Sequence, residues 1–167
     1  MQKITTFLWF DKDCEEAMNF YVNLFNGNPN KKADSKVVTV KRYPGGITEG
    51  PMAGMEGKVL TGVFELEGQT FMALDGGPLF KPNESISFTV DCADQTEIDY
   101  FWNAITKDGV ESQCGWCKDK WGFSWQIVPP MSKWLGGESD AEKRATQAML
   151  GMKKIVIADL DKAYSGE

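Results

Sequence analysis

The feature that most constrains the fold is a repeated strand and helix. The first copy, "FLWFDKDCEEAMNFYVNLFNG", begins at Phe7 with an aromatic and aliphatic run that predicts a buried strand. Asp13 and Glu16 then stand three residues apart, the spacing of a helix capping box. The apolar positions that follow form one helical stripe: Ala17, Phe20, Tyr21, Leu24 and Phe25. Gly27 is a natural end for this helix.

The same pattern returns in "SISFTVDCADQTEIDYFWNAITKDG". Phe88 stands 81 residues after Phe7, and Asp94 and Glu97 repeat the capping box at the same offset. The second apolar stripe is Ile98, Phe101, Trp102 and Ile105. A strand, a cap and a stripe that recur in one register predict two copies of one structural unit.

Each half also ends with a similar strand. "GQTFMAL" opens at Gly68 and "GFSWQIV" opens at Gly122, 54 residues later. Because the offset falls from 81 to 54, the first half carries 27 extra residues. We assign much of this excess to Tyr43–Lys58, whose glycines and prolines do not favour regular structure. Two further predicted strands, "KVVTVKR" and "VLTGVFEL", flank that segment.

These patterns predict an α+β fold with two β-α-β-β-β modules, residues 1–78 and 84–130, and a helical tail at residues 131–167. The three parts together are expected to form one structural domain. Ser139 and Glu142 make a third capping box, for a helix that runs through Leu150. A short helix around Ile155 to Tyr164 follows, although its first residues also suit an extended chain. The tail is expected to pack on the outside or on a second subunit.

The composition excludes several classes of function. A net charge of −6 and a pI near 4.8 argue against binding to nucleic acid, because little would neutralise the phosphates. The chain has no apolar run long enough for a signal peptide or a membrane span. Four cysteines without a disulfide framework indicate reduced thiols in the cytoplasm. Because the chain has no histidine, histidine-based catalysis and most zinc or iron sites are excluded.

Four segments carry a resemblance to a known family: "LWFDKDCEEAMNFY", "GQTFMALDGGPLF", "ESISFTVDCADQTEIDYFW" and "CGWCKDKWGFSWQIVPP". They resemble the PhnB-like branch of the vicinal oxygen chelate superfamily, which includes glyoxalases, bleomycin-resistance proteins and extradiol dioxygenases. The resemblance covers residues 3 to 160 approximately. It implies that each module curls its sheet around half of a cavity and that a homodimer completes the site.

The branch often carries the name 3-demethylubiquinone-9 3-methyltransferase, but the residues give that activity no support. A binding site for S-adenosylmethionine would call for a strand followed by a glycine-rich turn into a helix. Here "GGPLF" follows a predicted strand and leads to Pro82 and Asn83 instead. We therefore expect no methyltransferase activity.

The resemblance also implies where a metal would bind. Metal-using members place one ligand on the first and one on the last strand of each module, which corresponds here to Ile4, Met72, Ser85 and Gln126. None of these side chains supplies a negative charge or an imidazole to replace the water around a divalent ion. We therefore predict neither a metal nor another cofactor.

Alternation along the strands predicts which residues face the cavity. From Ser85 to Val90, hydroxyl residues alternate with apolar residues, so we expect the hydroxyl face to line the cavity. An offset of 81 then places Thr6 and Leu8 on the cavity face and packs Phe7 and Trp9 against the helix. The candidate ligand-binding residues are Thr6, Leu8, Met72, Asp75, Ser85, Ser87, Trp116, Ser124 and Gln126.

Other roles for these residues stay open. The whole set can instead fill a closed core, and Asp75 can instead shape the turn at Gly76 and Gly77. Trp116 suits the cavity, the dimer interface or the core. The segment 43–58 suits a lid, a dimer arm or a mobile loop.

Cys114 and Cys117 have the C-x-x-C spacing of thiol oxidoreductases, but a turn and a strand follow them rather than a helix. The pattern favours two small side chains in a strand. The leading prediction is a metal-free protein that binds a small amphipathic, aromatic or cationic molecule. The alternatives are a metal-dependent lyase, isomerase or dioxygenase, and a thiol oxidoreductase.

Overall fold

The computed structural model describes residues 3–167, so Met1 and Gln2 of the predicted first module lie outside the described residues. The chain forms two compact units, the first ending at Lys81 and the second running from Pro82 to Glu167. The elements of the first unit are β1 (Thr6–Phe10), α1 (Cys14–Asn26), β2 (Lys36–Arg42), β3 (Val59–Leu66) and β4 (Gln69–Asp75). Its sheet has the order β1-β4-β3-β2, in which only β1 and β4 pair in parallel.

The second unit repeats this arrangement. Its elements are β5 (Ser87–Asp91), α2 (Gln95–Thr106), β6 (Val110–Glu111), β7 (Trp116–Lys118) and β8 (Ser124–Val128). The sheet order β5-β8-β7-β6 matches the first sheet strand for strand, with β5 and β8 in parallel. The predicted α+β fold with two β-α-β-β-β modules is confirmed. The extra length of the first module lies mainly in the loop between β2 and β3, in those two longer strands and in the connection from α1 to β2.

The helical tail belongs to the second unit. After a short turn of helix at Met131–Lys133, it contains α3 (Asp140–Leu150) and α4 (Ile157–Ser165). Ser139 and Glu142 form the predicted capping box of α3. The Gln95 side chain of α2 donates to the Ile155 carbonyl over 3.1 Å and accepts from the Ile157 amide over 2.9 Å. Across residues 3–167, no helix combines the length and apolar character that crossing a membrane requires.

Each sheet packs one face against the helix of its own module. In the first module, a Cβ at Gly62 would collide with the Met18 sulfur, so the strand and helix approach each other closely here. Tyr21 stacks on Phe64 and Phe64 stacks on Phe71. The α1 stripe buries Ala17, Tyr21 and Leu24 as predicted, together with Cys14 and Met18, while Phe20 and Phe25 remain half-buried. All four predicted stripe residues of α2 are buried.

The first residue of α1 is capped differently from the prediction. Among the described residues, the Asp13 side chain accepts no capping hydrogen bond, so the predicted box with Glu16 is wrong. In α2 the Asp94 carboxylate accepts from the Glu97 amide over 2.9 Å, as a capping residue should. The Glu97 carboxylate accepts from the Ala93 amide over 2.6 Å, one residue before the predicted position.

The two modules are not related by one constant offset. Thr6 lies beside Phe71 in the first sheet, whereas Phe88 lies beside Trp125 in the second. Phe71 and Trp125 are 54 residues apart, so the first strands correspond with an offset of 82, while Asp13 and Asp94 correspond with 81. Trp9 and Asp91 occupy corresponding places in the two sheets, and from them the helix cap position is four residues on in the first module, at Asp13, and three in the second, at Asp94. Because side chains alternate along a strand, this single residue exchanges the faces assigned to β1.

Candidate functional site

In the second module, four of the predicted site residues share one face of the sheet. Ser87 lies beside Ser124, and Ser124 lies beside Lys118. One row further along the strands, Gln126 lies between Thr89 and Trp116. The structure therefore gathers Ser87, Trp116, Ser124 and Gln126 on a surface that we call the polar face, to which Thr89 and Lys118 also belong.

The polar face is the side of the sheet opposite to α2. Trp102 of α2 donates its indole N–H to Glu111 over 3.1 Å, and Glu111 lies beside Cys117 and hence on the same side as Trp125. The alternation of side chains turns the neighbouring residues of β7 and β8 the other way. Trp125 therefore packs toward α2, and Gln126 faces away from it.

Two polar side chains of this face are hydrogen-bonded to each other. The Gln126 amide Nε2 donates to Ser87 Oγ over 2.8 Å, and both residues are half-buried. This contact links β8 to β5 and fixes the direction in which the Gln126 side chain points. The amide oxygen and the second amide hydrogen of Gln126 are the groups it can still offer to another molecule.

Ser124 lies beside this pair and is buried, with 2% of its surface exposed. Its hydroxyl has no hydrogen-bond partner among residues 3–167. A buried polar group without a partner costs about 1–3 kcal/mol, and most such groups in folded proteins are satisfied. The Ser124 hydroxyl is therefore the group of the polar face for which a hydrogen bond from a ligand would be most favourable.

Lys118 and Glu84 form an ion pair at the edge of the polar face. Glu84 lies in the turn before β5, and its side chain is 62% exposed. The hydrogen bond from Lys118 is the largest cause holding the pKa of the Glu84 carboxyl below its ordinary value. Exposed pairs of this kind contribute little to stability, so the contact can be exchanged at small cost.

Ser85, another predicted site residue, also lies in this turn and not in β5. Its amide and its hydroxyl both donate to the Asn83 carboxylamide oxygen, over 2.9 and 2.5 Å. This is the pattern of a side chain that stabilises a turn. Ser85 therefore has a local partner and lies two residues before β5, which begins at Ser87.

In the first module, the prediction for Thr6 and Leu8 is wrong. Leu8 lies beside Ala73, which lies beside Gly62, the glycine in contact with Met18 of α1. Leu8 is accordingly buried, with 5% exposed, and Thr6 shares its face. The cause is the offset of 82 described above, which turns these residues toward the helix.

Phe7 and Trp9 occupy the opposite face instead, together with Met72. Met72 lies between Phe7 and Val63 in neighbouring strands, as its predicted orientation requires. Trp9 donates its indole N–H to the Gly77 carbonyl over 2.9 Å and meets Phe80 edge to face. Phe7 is 48% exposed, whereas Ile4 precedes β1 and is 85% exposed.

Asp75 is buried at the end of β4 and is fully engaged by the backbone. One carboxylate oxygen accepts from the Cys14 amide at the start of α1 over 2.8 Å. The other accepts from the Val59 amide at the start of β3 over 3.0 Å. Asp75 therefore supplies the helix cap that Asp13 does not, and these contacts favour a structural role over ligand binding.

A charged cleft of about 550 Å³ opens beside the start of α1, with Asp75 in its wall. Arg42 lines it and donates to both carboxylate oxygens of Glu15 over 2.9 and 2.8 Å and to the Gly57 carbonyl over 3.0 Å. Lys58, at the end of the segment 43–58, also lines the cleft. The Arg42 guanidinium and the Glu15 carboxylate, two charged groups of this cleft, are thus already paired with each other.

The C-x-x-C pair lies where β7 begins. Cys114 occupies the turn with a positive φ of 58° and donates its amide to the Met152 carbonyl of the tail over 2.7 Å. Cys117 lies in β7 and is buried, so the prediction that both cysteines lie in a strand is correct for Cys117 and wrong for Cys114. Burial, followed by the nearby Asp119 and Glu111, raises the pKa of the Cys117 thiol to about 12. A thiol so poorly ionised is a weak nucleophile, which disfavours an oxidoreductase.

Sequence reasoning missed Asp119, Lys118 and Glu84. Asp119 is buried, accepts from the Trp121 and Phe123 amides over 3.0 and 3.1 Å, and receives the Trp125 indole N–H over 2.9 Å. The short spacing from Asp119 to Gly122 was the available signal, because aspartate and glycine mark tight turns. Alternation from Trp116 would have placed Lys118 on the polar face. No local pattern pointed to Glu84.

Among the described residues, the side chains that could bind a metal ion are not clustered. Within the described chain, residues 3–167, no three of the cysteine, aspartate and glutamate side chains come together as a candidate site. The groups of the polar face are hydroxyl, amide, indole and ammonium, which are poor ligands for a divalent ion.

The glycine-rich turn associated with a nucleotide-type methyl donor is also not matched. The connections from strand to helix within the two modules, residues 11–13 and 92–94, contain no glycine. Gly76 and Gly77 follow β4, but the next regular element is β5 and not a helix. The residues present therefore do not fit S-adenosylmethionine at a strand-to-helix turn.

Comparisons with known proteins agree with this architecture. The PhnB protein of Bacillus cereus, whose name includes 3-demethylubiquinone-9 3-methyltransferase, is 37% identical, with a TM-score of 0.61 over 76% of this chain and 99% of its own. Protein PA1353 of Pseudomonas aeruginosa shares the fold at 18% identity, with a TM-score of 0.59 over 77% of this chain and 97% of its own. No curated protein matches the sequence. Because the model of one family matches residues 2–128, the chain belongs to the family named 3-demethylubiquinone-9 3-methyltransferase, of which PhnB is a member.

Proposed function

We propose that this protein binds a small planar molecule on the polar face of the second sheet and needs no metal to do so. The observation that carries the proposal is the buried Ser124 hydroxyl without a partner. A ligand that hydrogen-bonds to Ser124 would remove the cost of that unsatisfied group.

The neighbours of Ser124 supply the other contacts that a small-molecule site needs. Trp116 offers an aromatic surface one row away, and Gln126, held by Ser87, offers an oriented amide. In ligand sites of proteins, a few fixed polar groups orient the ligand while aromatic side chains provide a surface for packing. The molecule we expect therefore combines a flat apolar part with one polar group.

The family name does not define the reaction, because a fold hosts many unrelated functions. Neither of the two chemical alternatives gains support from the residues. The metal-dependent enzyme lacks suitable ligands on the polar face, and the oxidoreductase would have to use the buried Cys117. Homodimerisation, which the family resemblance implies, stays a prediction that light scattering after size exclusion would test.

The test is a screen of aromatic fragments by nuclear magnetic resonance on the ¹⁵N-labelled full chain. We expect binding fragments to shift the backbone amides of Lys118, Ser124 and Gln126. The dissociation constant should rise about tenfold in Ser124→Ala and in Gln126→Leu, the loss expected for one hydrogen bond. Gln147→Leu, on the exposed side of α3, is the matched control and should bind like the parent protein.

Fragments that bind equally well to Ser124→Ala and Gln126→Leu would overturn the proposal, because they would occupy another site. A library of aromatic fragments that shifts none of the three amides would overturn it as well. Metal content measured on the same preparation gives an independent check. Binding that is lost after dialysis against a chelator would contradict a metal-free site.

A further inference from the structure

We infer that the ligand of the polar face is an aromatic carboxylate, and that Glu84 occupies the place of its carboxylate in the free protein. This inference rests on the proposed function and specifies the class of ligand. Its starting point is the relation between Lys118 and Ser124, which are cross-strand neighbours on the same face of β7 and β8.

Both groups are donors on neighbouring strands, within reach of one acceptor. Directly opposed residues of antiparallel strands have their Cβ atoms about 5 Å apart, so one carboxylate can reach both side chains. Lysine can only donate, and the unpartnered Ser124 hydroxyl has a hydrogen to give. The Gln126 amide donates its Nε2–H to Ser87 and keeps its oxygen as an acceptor, but Gln126 lies one row further along β8, beside Trp116 and not beside Lys118. One carboxylate oxygen on Lys118 and the other on Ser124 satisfies both groups.

Glu84 shows that a carboxylate fits against Lys118. Its side chain makes the ion pair from an exposed turn, and nothing buries it there. The Ser124 hydroxyl remains without a partner even so, which means that Glu84 satisfies one donor of the two. A free carboxylate that contacts both donors has the advantage over Glu84, since an exposed ion pair is weak.

The aromatic part follows from the position of Trp116. Only Cys117 separates Trp116 from Lys118 along β7, so these two residues lie about 7 Å apart on one face. A ring attached directly to the carboxylate at Lys118 therefore lies next to the Trp116 indole, where offset or edge contacts are favourable. The residues of the polar face therefore favour an anionic ligand, whereas the net charge of −6 had suggested a cationic one.

The experiment titrates the full chain with benzoate, benzamide and benzylammonium, three probes of similar shape and different charge. Amide shifts at Lys118, Ser124 and Gln126 report binding at the polar face. We expect benzoate to bind at least tenfold more tightly than the other two. Lys118→Gln should remove this preference, and Lys120→Gln, two residues along in the exposed turn, is the control that should keep it.

Glu84→Gln separates the second part of the inference from the first. Removal of the competing carboxylate should tighten benzoate binding several-fold and leave benzamide unchanged. Weaker or unchanged benzoate binding in Glu84→Gln would show that Glu84 does not occupy the place of the ligand.

The outcomes distinguish this inference from the proposed function. If benzamide or benzylammonium shifts the three amides with an affinity equal to that of benzoate, the ligand class is wrong and the binding site stands. If none of the three probes shifts them while other fragments from the screen do, the ligand class is again wrong. If no probe and no fragment shifts them, the proposed function fails.

Discussion

The two modules share a strand order but present different chemistry on the face away from the helix. In the second module that face carries Ser87, Ser124 and Gln126 beside Trp116. The corresponding face of the first module carries Phe7 and Met72 beside Val63, with Trp9 further along β1. The helix-facing sides, by contrast, are both buried and mainly apolar. A duplicated frame can thus keep one packing arrangement while its other side diverges.

The modules also secure their helices by different means. α2 is capped locally, by Asp94, the residue immediately before the helix. α1 is capped from the sheet, by Asp75, which is 61 residues distant in sequence from Cys14. The same carboxylate holds the first amide of β3. The start of α1 is therefore tied to the strands of its sheet, whereas the start of α2 depends on its own local sequence.

The largest expected effect tests a feature that the modules share, their buried thiols. Burial raises the pKa of both Cys14 and Cys92 to about 12, with nearby carboxylates as the next cause, Asp75 for Cys14 and Glu97 for Cys92. At pH 8 the thiolate fraction of each should fall about 1000-fold relative to an ordinary thiol. We expect a thiol reagent to modify the half-buried Cys114 first, as peptide mass spectrometry would show.

Labelling in urea, where all four thiols should react, is the control for that experiment. Fast native labelling of Cys14 but not Cys92, or the reverse, would break the likeness between the modules. Equal and fast labelling of both would contradict the burial of these thiols.

The same pKa shifts make stability depend on pH. In the unfolded chain the thiols ionise near pH 9, whereas in the folded protein they stay protonated to about pH 12. Their contribution is therefore fully present below pH 9 and is lost as the pH rises from about 9 to 12. Urea unfolding at pH 7, 9 and 10 should show this decline. Cys92→Ala should make it less steep; an unchanged slope would contradict the assignment to thiols.

The next effect separates the two caps. Asp75→Asn should lower the free energy of unfolding by about 3 kcal/mol, because one of the two backbone amides would then face the side-chain NH₂ group. Asp94→Asn should cost less than about 0.5 kcal/mol, since asparagine caps helices as well as aspartate does. Urea unfolding of both variants measures the difference. Equal losses would mean that α1 is not held from the sheet.

The sequence was sufficient to predict the helices and strands of the modules. It was insufficient to predict which side chains of β1 face the helix. In β5, hydroxyl and apolar residues alternate, so the polar face could be predicted residue by residue. In β1, Phe7 to Phe10 are all apolar, and no alternation distinguishes the two sides. The face of Thr6 and Leu8 then depended on the offset between modules, which a single residue in the connection changes.

The role of Asp75 could not be predicted for a different reason. A local cap is visible because the acid stands next to the helix, as at Asp94 and at Ser139. Asp75 reaches its amides through the sheet, so the fold must be known before the contacts are. The same holds for the ion pair of Glu84 with Lys118, which joins a turn to a strand 34 residues later.

The smallest effect concerns the residues at corresponding places in the last strands, Ser124 and Thr70. Ser124→Ala removes a buried hydroxyl that has no partner, so the free protein should become more stable by about 1 kcal/mol. Thr70→Ala changes a half-buried residue in the first module and should give no such gain. Urea unfolding without ligand compares the two. A loss of stability in Ser124→Ala would show that the hydroxyl is satisfied within the protein. A gain, together with weaker fragment binding, would mean that the second module keeps at Ser124 a polar group whose cost in the free protein is recovered when a ligand binds.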